Sequence, residues 1–191
     1  MKEMSLMERF AMFFATMKHS DQLYSGVFPY THHLMEVRTQ GVYWADFYIK
    51  KCHTAMNEVP FHDFGATCGM ESIRDELLTA TLLHDTIEDT EVKRKELEEM
   101  FSPLVGELVW RVSNEPGKNR AERHALTYPK IRENPYAVFI KLCDRIANIK
   151  QGGSLVGMYA KEHAAFKVAL QTADWPEMWE HLDNLIAQWR Y

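Results

Sequence analysis

The stretch "TLLHDTIEDT", Thr81 to Thr90, sets His84, Asp85, Glu88 and Asp89 directly behind an apolar run. An imidazole next to a carboxylate offers two different ligand types, and on one helix they point about 100° apart, so further donors must come from elsewhere in the chain. Asp144, in "FIKLCDRIAN", follows Val138, Phe139, Ile140 and Leu142, where a carboxylate is costly to bury unless it is paired or bound to a cation. Asn148 lies four residues on, on the same helix face. His32 and His33 offer a third source of nitrogen. Such a mixed nitrogen and oxygen shell suits Mn, Fe or Zn with positions left for water and substrate, which is hydrolytic chemistry. Glu88 and Asp89 sit one helical turn beyond His84 and Asp85, placed to move protons without being ligands.

These groups have to be carried by helices. Leu6, Phe10, Phe13, Phe14 and Met17 form a stripe at helical spacing behind Ser5, with Glu8 in capping-box position. "SDQLYSGVFPYTHH" contains Gly26 and Pro29 and reads as a loop delivering His32 and His33 to a helix over about 34–57. "VPFHDFGATCG" is irregular, and its His62–Asp63 pair lacks the context of a metal motif. Helices follow over about 71–88, 93–101 and 103–112. "SNEPGKNRAER" is a polar loop running into another helical start. Pro135 opens a helix ending near Gln151, Ser154 caps the next, over about 155–172, and the last spans about 176–189. No strand alternation, repeat or low-complexity segment is evident. The expectation is a single all-α domain over residues 1–191.

Composition fits that expectation. The 191 residues are 46% apolar and include five Trp, eight Tyr and ten Phe, enough for a substantial core. A net charge of −5 disfavours bulk nucleic-acid binding while leaving room for a local basic patch. The apolar N-terminal run is interrupted by charges and falls short of a membrane span. Cys52, Cys68 and Cys143, odd in number and without a CxxC pair, predict reduced thiols and a cytoplasmic protein.

In combination, "HSDQLYSGVFPYTHH", "LLHDTIEDT" and "IKLCDRIANIK" resemble the HD-superfamily phosphohydrolases, and most closely the hydrolase domain of the bifunctional alarmone synthetase/hydrolases and the small alarmone hydrolases. The resemblance implies an HD-domain helical bundle, with metal ligands at His33, His84, Asp85 and Asp144. It also implies a catalytic acidic pair at Glu88 and Asp89, a nucleotide-contacting Asn148, and Tyr159 near the nucleoside. The family reaction uses Mn2+ to hydrolyse the 3′-pyrophosphate of guanosine tetra- or pentaphosphate. Tyr24 and Ser25 stand where the family usually carries a basic pair. Lys118, Arg120 and Arg123 are the replacements the sequence offers for phosphate contact.

The interval from His33 to His84 is longer than is usual in the family, with the extra length at about 43–67, open to a role over the pocket or in a homo-oligomer contact. The expected ligand is a small phosphorylated nucleotide held by Mn2+ or another divalent transition metal. The alternatives to an alarmone are a dNTP, a cyclic nucleotide or the 2′-phosphate of NADPH, and, in another class, a catalytically silent nucleotide-binding module.

Overall fold

The computed structural model describes residues 3–56, 69–153 and 155–189. The chain runs α1 (Leu6–Lys18), β1 (Leu23–Tyr24), β2 (Phe28–Pro29), α2 (Tyr30–Met56), α3 (Arg74–Leu83), α4 (Thr86–Asp89), α5 (Arg94–Met100), α6 (Pro103–Val112), α7 (Arg120–Arg132), α8 (Pro135–Gln151), α9 (Val156–Leu170) and α10 (Pro176–Gln188). The all-α expectation holds. The His62–Asp63 pair, Cys68, the Ser154 cap and part of the 43–67 interval lie outside the described residues; the rest of that interval, up to Met56, continues α2.

The architecture is built round α8. Asn134 caps it by accepting from the amides of Tyr136 and Ala137, Pro135 opens its first turn, and it ends at Gly152, whose φ of 78° suits glycine. Ala137–Ile140 and Leu142–Ile149 are all buried, so α8 is covered on every side, the pattern of a central helix rather than a surface one. It packs against α2, α3, α6, α7, α9 and α10. At its start, fully buried Trp175 donates from Nε1 to the Pro135 carbonyl at 2.7 Å and packs on Tyr48, Tyr136 and Phe139. That anchorage holds Trp175 in a left-handed conformation, φ 58°, which is uncommon for a bulky residue.

Three expectations are corrected. Strands occur at 23–24 and 28–29, a hairpin pairing Leu23 with Pro29 and Tyr24 with Phe28 through a turn with positive φ at Ser25 and Gly26. Two residues per strand are too few for any alternation to register in sequence. The helix expected over about 71–88 breaks at His84 and Asp85. There the Thr81 hydroxyl donates to the Leu78 carbonyl, His84 Nδ1 to Thr81 and the Thr86 hydroxyl to Leu83, at 2.6, 2.9 and 2.6 Å. Such side-chain to backbone bonds compete with the helical ladder. Cys52 is disulfide-bonded, against the expectation of reduced thiols, while Cys143 is a buried free thiol.

α1 and α2 are tied by a buried ion pair, Glu8 with Arg38, at 1% and 3% side-chain exposure. Glu8 also closes the predicted capping box with Ser5. Removing one partner leaves a charge buried without compensation, so Arg38→Ala is expected to destabilise the fold by about 3–5 kcal/mol in urea unfolding.

Candidate active site

Three segments converge at the base of a cavity of about 290 Å³. His33 comes from the first turn of α2, His84 and Asp85 from the break after α3, and Asp144 from the middle of α8. His33, His84 and Asp144 each place one ligand atom so that the three lie within 4.8 Å of one another. Asp85 Oδ2 joins them, 2.9 Å from His84 Nε2 and 3.8 Å from His33 Nε2. Asp144 Oδ1 is 3.4 Å from His33 Nε2 and 3.9 Å from His84 Nε2.

The donor set fits a divalent transition metal. His84 Nδ1 faces the Thr81 carbonyl, which can only accept, so Nδ1 carries the proton and Nε2 is the free donor atom. That Nε2 is buried and has no aligned hydrogen bond among the described residues, despite its closeness to Asp85. Electrostatics agree. Burial opposes a charged His84, but Asp85 outweighs it and carries the imidazole up to about 9. Asp144 is held well below the usual carboxylate range against its burial, by Lys141 first and then His33 and His84. The two carboxylates thus demand positive charge in a site that water scarcely reaches.

Supporting contacts order these groups. The Tyr30 hydroxyl donates to Asp85 Oδ2 at 2.5 Å and lies 3.3 Å from Asp89 Oδ2. Asn148 Nδ2 donates to Asp144 Oδ1 at 2.5 Å, Lys141 Nζ pairs with Asp144 Oδ2 at 3.0 Å, and the Tyr24 hydroxyl donates to Asn148 Oδ1 at 2.7 Å. The Tyr24 ring stacks on His33 at 4.7 Å and 2°. Glu88 is gripped by Asn114: its Nδ2 lies 2.9 and 3.1 Å from Oε1 and Oε2, and its backbone N–H reaches Oε2 at 3.0 Å. Burial, then Asp85 and Glu88, push the Asp89 carboxyl up to about 6.

Of the residues singled out in the sequence, Tyr24, His33, Asp85, Glu88, Asp89, Arg120, Asp144, Asn148 and Tyr159 line the cavity. Lys118 is exposed and Arg123 packs beside Gly117; neither is part of the lining. His32 stacks on Phe28 and bonds Gln151 instead. Sequence reasoning missed Tyr30, Asn114, His124, Lys141 and Arg145 as cavity residues. A signal existed for some. Tyr30 is one turn before His33, and Lys141 and Arg145 flank Asp144 in the same apolar run, where the cost of burying a charge applies equally. Nothing local marks Asn114, which meets Glu88 only through the tertiary fold.

No protein-family model matches the chain. A solved structure described as a metazoan ortholog of SpoT that hydrolyzes ppGpp superposes with a TM-score of 0.68 at 21% identity, covering 98% of each chain. The chain shares that structure's all-α fold. Curated sequences similar to this chain include the guanosine-3′,5′-bis(diphosphate) 3′-pyrophosphohydrolase of Aquifex aeolicus, 35% identical over 79 residues, 39% of this chain and 11% of that protein. The MESH1 proteins of the same name from Danio rerio and Drosophila melanogaster are 33% identical over 79 residues and 35% identical over 80. Those matches take in 39% and 41% of this chain, and 42% and 45% of the relatives. The matched region thus spans less than half the length of each of these relatives. Among the described residues no helix is long and apolar enough to cross a membrane.

His84→Ala and Asp144→Ala are each expected to abolish Mn2+ binding measured by titration calorimetry, with the wild-type chain binding one ion.

Proposed function

We propose that this chain is a metal-dependent pyrophosphohydrolase that removes the 3′-pyrophosphate of guanosine 3′,5′-bis(diphosphate). The observation that carries the reading is the meeting, in one cavity, of His33, Asp85 and Asp144, with buried His84 directly behind them, and the anchored Glu88, Asp89 and a cationic wall of Lys141, Arg145 and Arg120. The names of the similar curated proteins support the same substrate.

His33, His84, Asp85 and Asp144 would hold the metal; the mixed nitrogen and oxygen donors suit Mn, Fe or Zn, and the family resemblance points to Mn2+. When bound, it supplies Lewis-acid polarisation of the phosphoryl group and a more acidic water. The chain's own groups do the rest. Glu88, fixed by Asn114, orients the attacking water and takes its proton. Asp89, with its raised carboxyl, returns a proton to the departing 3′-oxygen. The bond between phosphorus and O3′ breaks, the water oxygen ends on pyrophosphate, and the nucleoside keeps a 3′-hydroxyl and its 5′-diphosphate. Lys141 and Arg145 offset charge on the phosphoryl oxygens. Lys118 and Arg123 take no part in this arrangement.

One observation favours a second reading in which the nucleotide differs. The hairpin side of the cavity, Leu23, Tyr24 and Ser25, presents apolar surface and hydroxyls rather than cations. A dNTP, a cyclic nucleotide or the 2′-phosphate of NADPH would leave that side uncharged.

A panel of these compounds with Mn2+, products resolved by phosphorus NMR, tests the two readings. GDP and pyrophosphate from the alarmone are the expected products, and turnover of a panel member in its place would select the second. Glu88→Gln is expected to lower kcat by about 10²- to 10⁴-fold while Mn2+ binding persists. Asn114→Ala should lower kcat with little change in KM. Near-normal turnover in both variants would remove Glu88 from the proton path.

A further inference from the structure

α1 is apolar on two faces. It packs against α3 and α2, and the residues it buries there, Ala11, Phe14 and Ala15, are mostly small. Its other large side chains point outward. Leu6, Phe10, Phe13 and Met17 are 84%, 44%, 64% and 61% exposed. Their spacing of four, three and four residues puts them in one continuous row along the helix. Single exposed apolar residues are ordinary, but a row of four, two of them phenylalanines, is the mark of a surface that another molecule covers. None of the four lines the cavity, so the candidate active site does not account for them.

The row is complementary to itself. Turned end for end about a twofold axis between Ala11 and Met12, it sets Leu6 against Met17 and Phe10 against Phe13, so every apolar side chain meets another. The same spacing defines the seam of two supercoiled helices, and a surface that matches its own rotated copy is the signature of a twofold interface. Antiparallel pairing also opposes the two helix dipoles.

The rim is compatible with a second copy. Arg9 pairs with Glu3 at 2.5 Å and Lys18 with Glu96 at 3.5 Å, so the charges flanking the row are compensated within each chain. The Thr16 hydroxyl is taken by the Met12 carbonyl at 2.7 Å. At about 200 Å² for a large apolar side chain, the exposed fractions amount to on the order of 500 Å² per copy. A pair would then bury about 1,000 Å², enough for a specific interface but below the ~1,600 Å² of a standard one. The result is a dimer that exchanges with monomer.

We propose that the outer face of α1 is a homodimer seam, in which two copies of this chain pair antiparallel through Leu6, Phe10, Phe13 and Met17. The seam does not depend on which nucleotide the cavity accepts.

Sedimentation equilibrium of the full chain over about 1–200 µM tests it, with a micromolar dissociation constant expected for wild type. Phe13→Glu places a carboxylate near the centre of the seam twice per dimer and is expected to raise that constant by about a hundredfold or more. Val168→Glu, which alters an apolar side chain 81% exposed on α9, leaves it unchanged. The Phe13 ring is mostly exposed, and an unchanged melting curve, taken where wild type is monomeric, shows that Phe13→Glu folds.

Register is tested by mixing. Phe10→Arg alone is also expected to be monomeric. Combined with Phe13→Glu it restores a dimer, because the mixed pair sets the introduced guanidinium against the introduced carboxylate and leaves one Phe10–Phe13 contact intact. A wild-type chain that stays monomeric to the highest concentration overturns the second copy as occupant and leaves the face to a different partner. A dimer that Phe13→Glu does not weaken overturns the seam, and a mixture of two folded monomeric variants that forms no dimer overturns the antiparallel register.

Discussion

Two carboxylates in a site with little access to water set the terms for the rest of this molecule. Asp85 and Asp144 approach the same two imidazoles, and a pair of like charges in that setting is tolerated only with positive charge between or beside them. Lys141 supplies some of it, and in the absence of an ion His84 supplies more by holding a proton. A divalent cation meets the same demand with one charge centre and leaves both imidazoles neutral, the form in which they ligate. On the proposed reading, a bound metal would offset the cost of folding round Asp85 and Asp144.

The fold brings that cluster together with few elements. α8 is central because it is apolar on all sides, and the same burial that fixes it in place carries Asp144, Lys141, Arg145 and Asn148 to the cavity. α2 and α3 pack against it and deliver the imidazoles. Position then sorts the chemistry: acidic and imidazole groups at the base, Glu88 and Asp89 beside them, arginines on the α7 and α8 side, and the hairpin over His33. Asn114 and Glu162 are alike in that each holds a charged side chain of the cavity wall by hydrogen bonds, Asn114 holding Glu88 and Glu162 holding Arg120.

Much of this was legible in the sequence because charge behind an apolar run is conspicuous. His84, Asp85 and Asp144 were visible for that reason, and the capping box at Ser5 and Glu8 and the Pro135 start of α8 follow local rules. The break at His84 was not legible. Its cause is three side-chain hydrogen bonds to backbone carbonyls, and residues Thr81 to Asp89 have good helical spacing in either case. Lys118 and Arg120 were indistinguishable as basic loop residues. Only packing sends Arg120 inward to Glu162 and leaves Lys118 outside. Glu162 and Asn114 act on partners 42 and 26 residues away, beyond the reach of any local pattern.

The central claim is that His33, His84, Asp85 and Asp144 are a metal centre and not a self-contained ion-pair cluster. Anomalous diffraction from crystals grown with Mn2+, collected on either side of the manganese edge, addresses it directly. The account predicts one strong peak among His84 Nε2, His33 and the Asp85 and Asp144 carboxylates. Fully ordered side chains with no peak there, or a peak only at another surface site, would contradict it.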